Sequence, residues 1–261
     1  MKHVSVLLYH ALWASAAERE AIDAEDRPYA VSVAHFRRQL LALREAGIPV
    51  LDPALLESGA PLPAGVLLTF DDGHASNALH ALPILQELGM RAAFFVTTGF
   101  VHERPGYCTW EQIRLLADSG MTVGGHGHSH RFISDLPATA QHDELHASRE
   151  SLQRHLERPV VQMSFPGGRC DAQSIAQAGS VGFTVLYSSR IGTLRAQVAP
   201  PAAPIPRIAV RAATAPAVFM DYARASRPRM VLARTASGIK GLTKRLIGNE
   251  RYHQLYARLR G

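Results

Sequence analysis

The chain has 261 residues, of which 47% are hydrophobic and 19% charged, with two cysteines and a formal net charge of +6. This length and apolar content allow one domain with a sizeable core. Two cysteines without a CxxC spacing are too few for a disulfide scaffold, so we expect two free thiols. No apolar stretch is long enough to cross a bilayer, so we do not expect a transmembrane helix.

The first predicted element is a strand over the apolar residues 4–8, which ends at Tyr9 and His10. The opening Met1-Lys2-His3 and the small residues 14–17 imitate a signal peptide, but the polar interruption at Tyr9-His10 favours a strand. We therefore expect a cytoplasmic location, with secretion as the alternative.

Helices and strands alternate along the next part of the chain. The spacing of Phe36, Leu40 and Leu43 predicts an amphipathic helix that ends before Gly47. Short apolar runs between the helices are typical of buried strands, and the repeated order of helix, glycine and strand indicates βα units of an α/β fold. The predicted helices cover residues 33–46, 78–88, 110–119 and 142–156, and the predicted strands cover residues 65–68, 121–123 and 160–165.

Two carboxylates follow the strand at residues 65–68, in the sequence Thr69-Phe70-Asp71-Asp72-Gly73. An Asp-Asp-Gly sequence after a strand is usually a turn. Two adjacent acids in one site repel each other, however, so such a site needs a cation, a shared proton or divergent side-chain directions. A metal ion held by one aspartate, with the other left free as a base, satisfies this requirement.

A histidine cluster follows the strand at residues 121–123, in the sequence His126-Gly127-His128-Ser129-His130. Histidines four residues apart often lie on a surface helix, but neutral imidazoles are also common ligands of zinc and similar ions. One aspartate with His126 and His130 would form a facial triad with open positions for water and substrate. Because both clusters lie where strands end, the sequence favours a metal-dependent hydrolase site.

The ordered series of motifs resembles the polysaccharide deacetylase family, the nodulation-type chitooligosaccharide deacetylases of carbohydrate esterase family 4. The resemblance extends from about residue 66 to about residue 190. It is carried by Thr69-Phe70-Asp71-Asp72-Gly73, Asn77, residues 81–85, residues 92–99, Thr109-Trp110-Glu111-Gln112-Ile113, Gly125-His126 to His130, Glu144-Leu145, Ser148-Arg149 and Phe165-Pro166-Gly167-Gly168.

The resemblance implies a fold and a set of residue roles. The fold is α/β, a distorted (β/α)7-type barrel over residues 1–223. The metal ligands are Asp72, His126 and His130, and Asp71 is the catalytic base. The cofactor is a divalent metal, zinc in the first place, with Co, Ni or Mn as alternatives. The implied substrate-binding residues are Phe165, Pro166, Gly167 and Arg207.

Two departures from the family pattern place the chain near the exopolysaccharide-modifying branch. Ser164 stands where many members carry the arginine that orients the base, and Arg169 or Arg207 are the candidate substitutes. The late Leu-x-His motif, whose histidine is the general acid, is absent from the last third of the chain. Leu8-Tyr9-His10 has the same pattern at the other end, and in a closed barrel the first and last strands are neighbours. We therefore predict a circular permutation with His10 as the general acid, whereas a purely structural histidine is the alternative.

The basic residues are concentrated at the end of the chain. Residues 224–261 contain ten Lys or Arg and one acid, a net +9, whereas the preceding residues contain 18 basic and 21 acidic residues, a net −3. Apolar residues from Ile239 to Leu259 recur at helical spacing, which predicts a basic, helical C-terminal extension. It would either pack on the barrel or bind anionic lipid peripherally. Nucleic acid is not an expected partner.

The expected activity is removal of N-acetyl groups from N-acetylhexosamine units of a polysaccharide or its lipid-linked precursor, in exopolysaccharide biosynthesis. Chitin oligomers and peptidoglycan are alternative substrates. Two other classes compete with this prediction. One is a non-catalytic glycan-binding module with the same fold, and the other is a metal-independent hydrolase of cyclic amides.

Overall fold

A curled sheet with seven parallel strands dominates the computed structural model, which describes residues 2–199, 202–226, 228–232 and 235. The strands are β1 (His3–Tyr9), β2 (Leu12–Trp13), β3 (Val31–Ser32), β4 (Gly65–Phe70), β5 (Ala93–Val96), β6 (Thr122–Gly125), β7 (Gln162–Ser164), β8 (Val185–Tyr187), β9 (Leu194–Arg195) and β10 (Ile208–Ala209). The helices are α1 (Ala16–Ala21), α2 (Val33–Glu45), α3 (Leu82–Glu87), α4 (Trp110–Asp118), α5 (Ala138–Leu156), α6 (Ala172–Ser180) and α7 (Pro216–Ala223).

The parallel strands lie in the order β10, β1, β4, β5, β6, β7 and β8. The segment before β10 connects the two ends of this order, because Ile205 pairs with Tyr187 of β8 and Ile208 pairs with Leu7 of β1. β9 adds an antiparallel pairing to the first residues of β1. The arrangement confirms the predicted distorted α/β barrel. It also places the first strand beside the last, as the predicted permutation requires.

The sheet separates two apolar regions. All six residues of β4 are buried, and alternate side chains point to opposite faces. On the outer face, the ring of Phe70 stacks on Phe94 at 4.8 Å and on Tyr9 at 5.2 Å, beneath the helices. On the inner face, Leu67 and Phe95 belong to a smaller apolar cluster. The interior of the barrel beneath the residues that follow β4 is therefore packed with side chains and does not form an open channel.

The helix ends agree with local capping signals. Ser32 accepts a hydrogen bond from the His35 N–H at the start of α2, and Thr109 forms a capping box with Gln112 at the start of α4. The helix expected over residues 78–88 is divided into a π-helical turn, Asn77–Ala81, and α3. The helix expected over residues 142–156 begins earlier, after Pro137.

The described residues continue to pack beyond the predicted domain boundary at residue 223. α7 is held against β1, where the Ser5 hydroxyl donates to the Tyr222 carbonyl at 2.8 Å, and Met230 is buried. The predicted amphipathic stripe at residues 239–259 lies outside the described residues. No helix in the part of the chain that the structure describes has both the length and the apolar character to cross a membrane.

Candidate metal centre and active site

The two aspartates after β4 point in different directions because the backbone turns between them. The Asp71 N–H continues the strand pairing and donates to the Tyr9 carbonyl at 3.0 Å. Asp72 then adopts a left-handed conformation with φ 75°, which non-glycine residues seldom occupy. This turn leaves the Asp71 carboxylate buried in the barrel end and brings Asp72 to the edge of a cavity.

The histidine cluster leaves the sheet in the same way after β6. The His126 N–H donates to the Val96 carbonyl at 2.8 Å, which places the His126 ring beside the aspartates. His130 is left-handed with φ 63°, and its side chain is 34% exposed. Backbone conformations of this kind in non-glycine residues are concentrated at functional sites.

Asp72, His126 and His130 form a three-residue group suited to a metal ion. Their ligand atoms all lie within 4.8 Å of one another. Asp72 Oδ1 is 3.2 Å from Nε2 of His126 and 3.2 Å from Nε2 of His130. The structure therefore brings the three predicted ligands together, and their role in metal binding stays a prediction.

A hydrogen bond outside the ligand set fixes the orientation of His126. Its Nδ1 lies 2.8 Å from the Ser164 carbonyl, which can only accept, so Nδ1 carries a proton. In the neutral ring Nε2 then has a free lone pair directed toward Asp72. A backbone carbonyl on the second imidazole nitrogen is the usual support of a metal-bound histidine. This tautomer fits a divalent cation at the three-residue group.

The electrostatics of the group also suit a cation. Burial alone raises the pKa of Asp72, but hydrogen bonds from His126 and His130 outweigh it and hold that pKa well below its usual range. Burial alone lowers the pKa of His126, but the charges of Asp71 and Asp72 raise it overall. The raised pKa of His126 favours a proton on that ring beside the two carboxylates. A divalent cation would replace that proton.

Arg207 supplies the positive charge that the family motif would place at Ser164. Its Nη1 donates to Asp71 Oδ1 and its Nη2 to Asp71 Oδ2, both at 2.7 Å. The Ser164 hydroxyl accepts from Arg207 Nη2 at 2.6 Å and donates to Asp71 Oδ2 at 3.1 Å. Burial opposes ionisation of Asp71, but the charge of Arg207 and then that of His126 lower its pKa. Asp71 is therefore kept as a carboxylate that can accept a proton.

The position of Arg207 corrects its expected role in substrate binding. It also decides which of Arg169 and Arg207 orients the Asp71 carboxylate. Arg207 has no exposed surface, so it does not suit the substrate contact expected of it. Arg169, the other candidate for orienting the base, instead pairs with Asp135 and lies over the ring of Phe132.

His10 follows β1 and lines the cavity that also contains Asp72, with a volume of about 270 Å³. Its ring lies 5.1 Å from the ring of Tyr29, and its carbonyl accepts from Asn77 Nδ2 at 3.0 Å. His10 Nδ1 is buried and has no hydrogen-bond partner among the described residues. This location agrees with the predicted general acid, and the role itself stays a prediction.

The turn after β7 places its residues differently from the substrate contacts expected of them. Phe165 and Pro166 are buried, so direct contact with substrate does not suit their side chains. Gly167 is exposed with φ 62°, and a Cβ there would lie 2.6 Å from the ring of Phe132. Of the three, the backbone of Gly167 alone remains available to a substrate.

Several supporting residues were not assigned a role from the sequence. Glu144 of α5 accepts hydrogen bonds from the Ser129 N–H and hydroxyl, and Thr98 contacts His128 Nδ1 at 2.9 Å. They hold the histidine loop from two sides. Glu144 belongs to the series of motifs described above, so the sequence marked this residue. Its hydrogen bonds to Ser129 became known only from the structure.

The family model described as Polysaccharide deacetylase matches residues 59–186. YxkH of Bacillus subtilis (strain 168), assigned to the polysaccharide deacetylases, is 24% identical over 192 residues. That match covers 72% of this chain and 64% of YxkH, so it spans less than two thirds of that protein.

Solved structures share the fold over most of the chain. The Streptococcus pyogenes deacetylase PplD, in complex with acetate, superposes with a TM-score of 0.72 at 21% identity and covers 85% of this chain and 98% of its own. IcaB from Ammonifex degensii has a TM-score of 0.70 at 26% identity and covers 86% and 97%. A de-N-acetylase from Aggregatibacter actinomycetemcomitans has a TM-score of 0.71 at 19% identity and covers 84% and 99%. The family model, the curated relative and the solved structures together identify a polysaccharide deacetylase domain in this chain, and the family model locates it at residues 59–186.

Proposed function

We propose that this protein is a metal-dependent deacetylase that hydrolyses the N-acetyl groups of N-acetylhexosamine units in a polysaccharide. One observation carries the proposal. An aspartate and two histidines converge within 4.8 Å beside a second, arginine-bound aspartate, at the end of a parallel barrel. Hydrolysis of an amide needs an activated water, a base and an acid, and each has a candidate residue here.

Each residue has a task that follows from its surroundings. A divalent cation held by Asp72, His126 and His130 would polarise a water and the acetamide carbonyl. Asp71 accepts the proton of the attacking water, and the fork of Arg207 fixes the direction of its carboxylate. The Gly167 N–H donates to the oxygen on which negative charge develops. Protonated His10 delivers a proton to the leaving amine, and the products are acetate and a free amino sugar.

The buried ion pair on Asp71 favours an enzyme over a non-catalytic glycan-binding module. Loss of the motif arginine at Ser164 would disable the base if nothing replaced it, but Arg207 binds both carboxylate oxygens. The intact group of one aspartate and two histidines favours a metal-dependent reaction over the metal-independent hydrolysis of cyclic amides.

The substrate within this class follows from the resemblance to the exopolysaccharide-modifying branch. We propose an exopolysaccharide or its lipid-linked precursor, with chitin oligomers and peptidoglycan as the competing substrates. A cytoplasmic location and peripheral membrane contact through residues 224–261 are parts of the same proposal. Salt-sensitive flotation with anionic liposomes tests the membrane contact, and flotation that does not differ from that of neutral liposomes would exclude it.

The central experiment measures acetate release from N-acetylglucosamine oligomers by the purified chain. Release should stop after dipicolinate treatment and return when zinc, cobalt, nickel or manganese is added, and Asp71→Asn should reduce it at least a hundredfold. Arg37→Asn is the matched control, because Arg37 forms an exposed ion pair on the helix surface. Undiminished release after chelation, or no release from any N-acetylated saccharide with any of these metals, would disprove the proposal.

A further inference from the structure

Polar groups without partners remain in the cavity beside the candidate metal centre. Besides Asp72 and His10, the wall of this cavity includes Asp26, His74 and Tyr107, and none of these three has been given a task in the reaction above. With a volume of about 270 Å³ the cavity is small for a ligand site, close to what one sugar unit requires.

His74 is fixed so that one nitrogen faces the cavity as a donor. Its Nδ1 accepts the Ser76 N–H at 3.2 Å and lies 2.7 Å from the Ser76 hydroxyl. That hydroxyl oxygen also accepts the Leu12 N–H at 2.8 Å, so its own proton is directed to Nδ1. A nitrogen that accepts twice carries no proton, and the proton of the neutral ring is therefore on Nε2. Among the described residues, Nε2 has no hydrogen-bond partner.

Asp26 provides the complementary acceptor. Its carboxylate is partly buried in the cavity wall, and no hydrogen bond or ion pair within the described part of the chain uses it. Its neighbour Asp23 is different, because Asp23 pairs with Arg104. The guanidinium of Arg104 lies 5.1 Å from the ring centre of Tyr107, and Asp23, Arg104 and Tyr107 all line the cavity. The ion pair therefore joins two segments of the cavity wall and, among the described residues, leaves Asp26 as the unpaired carboxylate of the two.

We propose that His74 and Asp26 determine sugar specificity, with His74 Nε2–H donating to one hydroxyl of the hexosamine and the Asp26 carboxylate accepting from another. A sugar hydroxyl both donates and accepts, so a wall with one fixed donor and one acceptor selects the arrangement of hydroxyls around the ring. A site built to hydrogen-bond a hydroxyl discriminates against an analogue that lacks it, because the buried partner is left unpaired. The inference rests on the proposed function in taking an N-acetylhexosamine as the ligand.

The test is a cycle that combines changes in the protein with changes in the sugar. The zinc-loaded full chain is titrated with the methyl glycoside of N-acetylglucosamine and with its 3-, 4- and 6-deoxy forms, and dissociation constants are measured by saturation-transfer NMR. The wild type should bind one deoxy form roughly three- to tenfold more weakly than the parent sugar, the effect of one neutral hydrogen bond. His74→Phe should bind those two sugars equally, and His74→Gln, which keeps a donor, should recover part of the difference.

The wild type should bind a different deoxy form roughly ten- to a hundredfold more weakly than the parent sugar, since the acceptor there is charged. Asp26→Ala should remove this difference. His80→Phe is the matched control, because His80 pairs with Glu18 on the surface and should retain both differences. Equal weakening of all four sugars by His74→Phe and by Asp26→Ala would overturn the inference, as would a wild type that binds none of them.

The acetate methyl signal in the same spectra reports the reaction separately. Sugar binding with the expected coupling, together with no acetate release from these sugars or from any N-acetylated saccharide tested above, would support the inference and disprove the proposed function. Acetate release, combined with losses of affinity from the protein substitution and from the deoxy sugar that simply add, would support the proposed function and overturn the inference.

Discussion

Replacement of Arg207 by methionine should destabilise the fold mainly through the charge that it leaves behind on Asp71. The side chains of Arg207 and Asp71 are 0% and 4% exposed. The guanidinium has five N–H donors, and all five are used by Asp71, Ser164, Thr69 and the Ser188 carbonyl. Removal of one partner from a buried ion pair costs about 3–5 kcal/mol, and we expect this loss for Arg207→Met.

The same substitution should cost less when Asp71 is already neutral. In an Asp71→Asn background, Arg207→Met leaves unpaired acceptors but no unpaired charge, so we expect a loss of about 1–2 kcal/mol. The coupling between the two positions should therefore be about 2 kcal/mol. Urea unfolding followed by circular dichroism measures the four free energies of the cycle, with equal m-values as the check on two-state behaviour.

A surface arginine supplies the control for this cycle. Arg37 pairs with Glu87, and the two side chains are 41% and 53% exposed. Arg37→Met should cost less than about 1 kcal/mol, since exposed ion pairs contribute little. If Arg207→Met costs the same in both backgrounds to within about 0.5 kcal/mol, the charge on Asp71 is not the reason for the loss.

The remaining predictions concern the metal, the acid and a turn. Asp72→Ala should abolish binding of one equivalent of zinc in mass spectrometry under native conditions, whereas His128→Ala, whose imidazole contacts a threonine instead, should retain it. His10→Ala should lower kcat for acetate release by about 10²–10⁴-fold with zinc content unchanged; an unchanged kcat would return His10 to a structural role. Gly168→Ala should cost at least about 2 kcal/mol, because its φ is +66° and a Cβ would lie 2.1 Å from a backbone nitrogen. Gly179→Ala, in open space within α6, should stabilise the fold by about 0.5–1 kcal/mol, and equal effects at the two glycines would contradict this account.

The convergence of the three proposed metal ligands could be predicted from sequence because it follows from the fold. Asp72 lies two residues after the end of β4 and His126 directly after β6, and the carboxyl ends of parallel strands meet at one edge of the sheet. Four residues separate His126 from His130, which limits how far apart the two rings can lie. Local patterns therefore carried enough information to bring the three ligands together.

The partner of Asp71 could not be chosen in the same way. Arg207 is separated from Asp71 by 136 residues, and the loop that contains it has no helical or strand periodicity. Arg169 is closer to the motif at Ser164 and was an equal candidate. Only the pairing of Ile205 with β8 and of Ile208 with β1 directs Arg207 into the barrel. Such a contact depends on tertiary structure.

The donor role of His74 illustrates a second limit. The residue lies directly after Gly73 of the aspartate motif, so its position near the site was implicit in the sequence. Its tautomer depends on Ser76 and on the Leu12 N–H from a distant strand. A sequence pattern identifies a histidine near a site, but it does not say which nitrogen is protonated.

The joining of β8 to β1 through residues 205–209 also sets the order in which a nascent chain can assemble the candidate site. Asp71, His126 and His130 leave the ribosome long before Arg207, and until then the Asp71 carboxylate lacks the guanidinium that binds both of its oxygens. Contacts between residues so distant in sequence form late, because closing the intervening loop is entropically costly. A chain that stops before residue 207 would thus contain the whole group of Asp72, His126 and His130 and yet lack the bidentate partner of the buried Asp71 carboxylate.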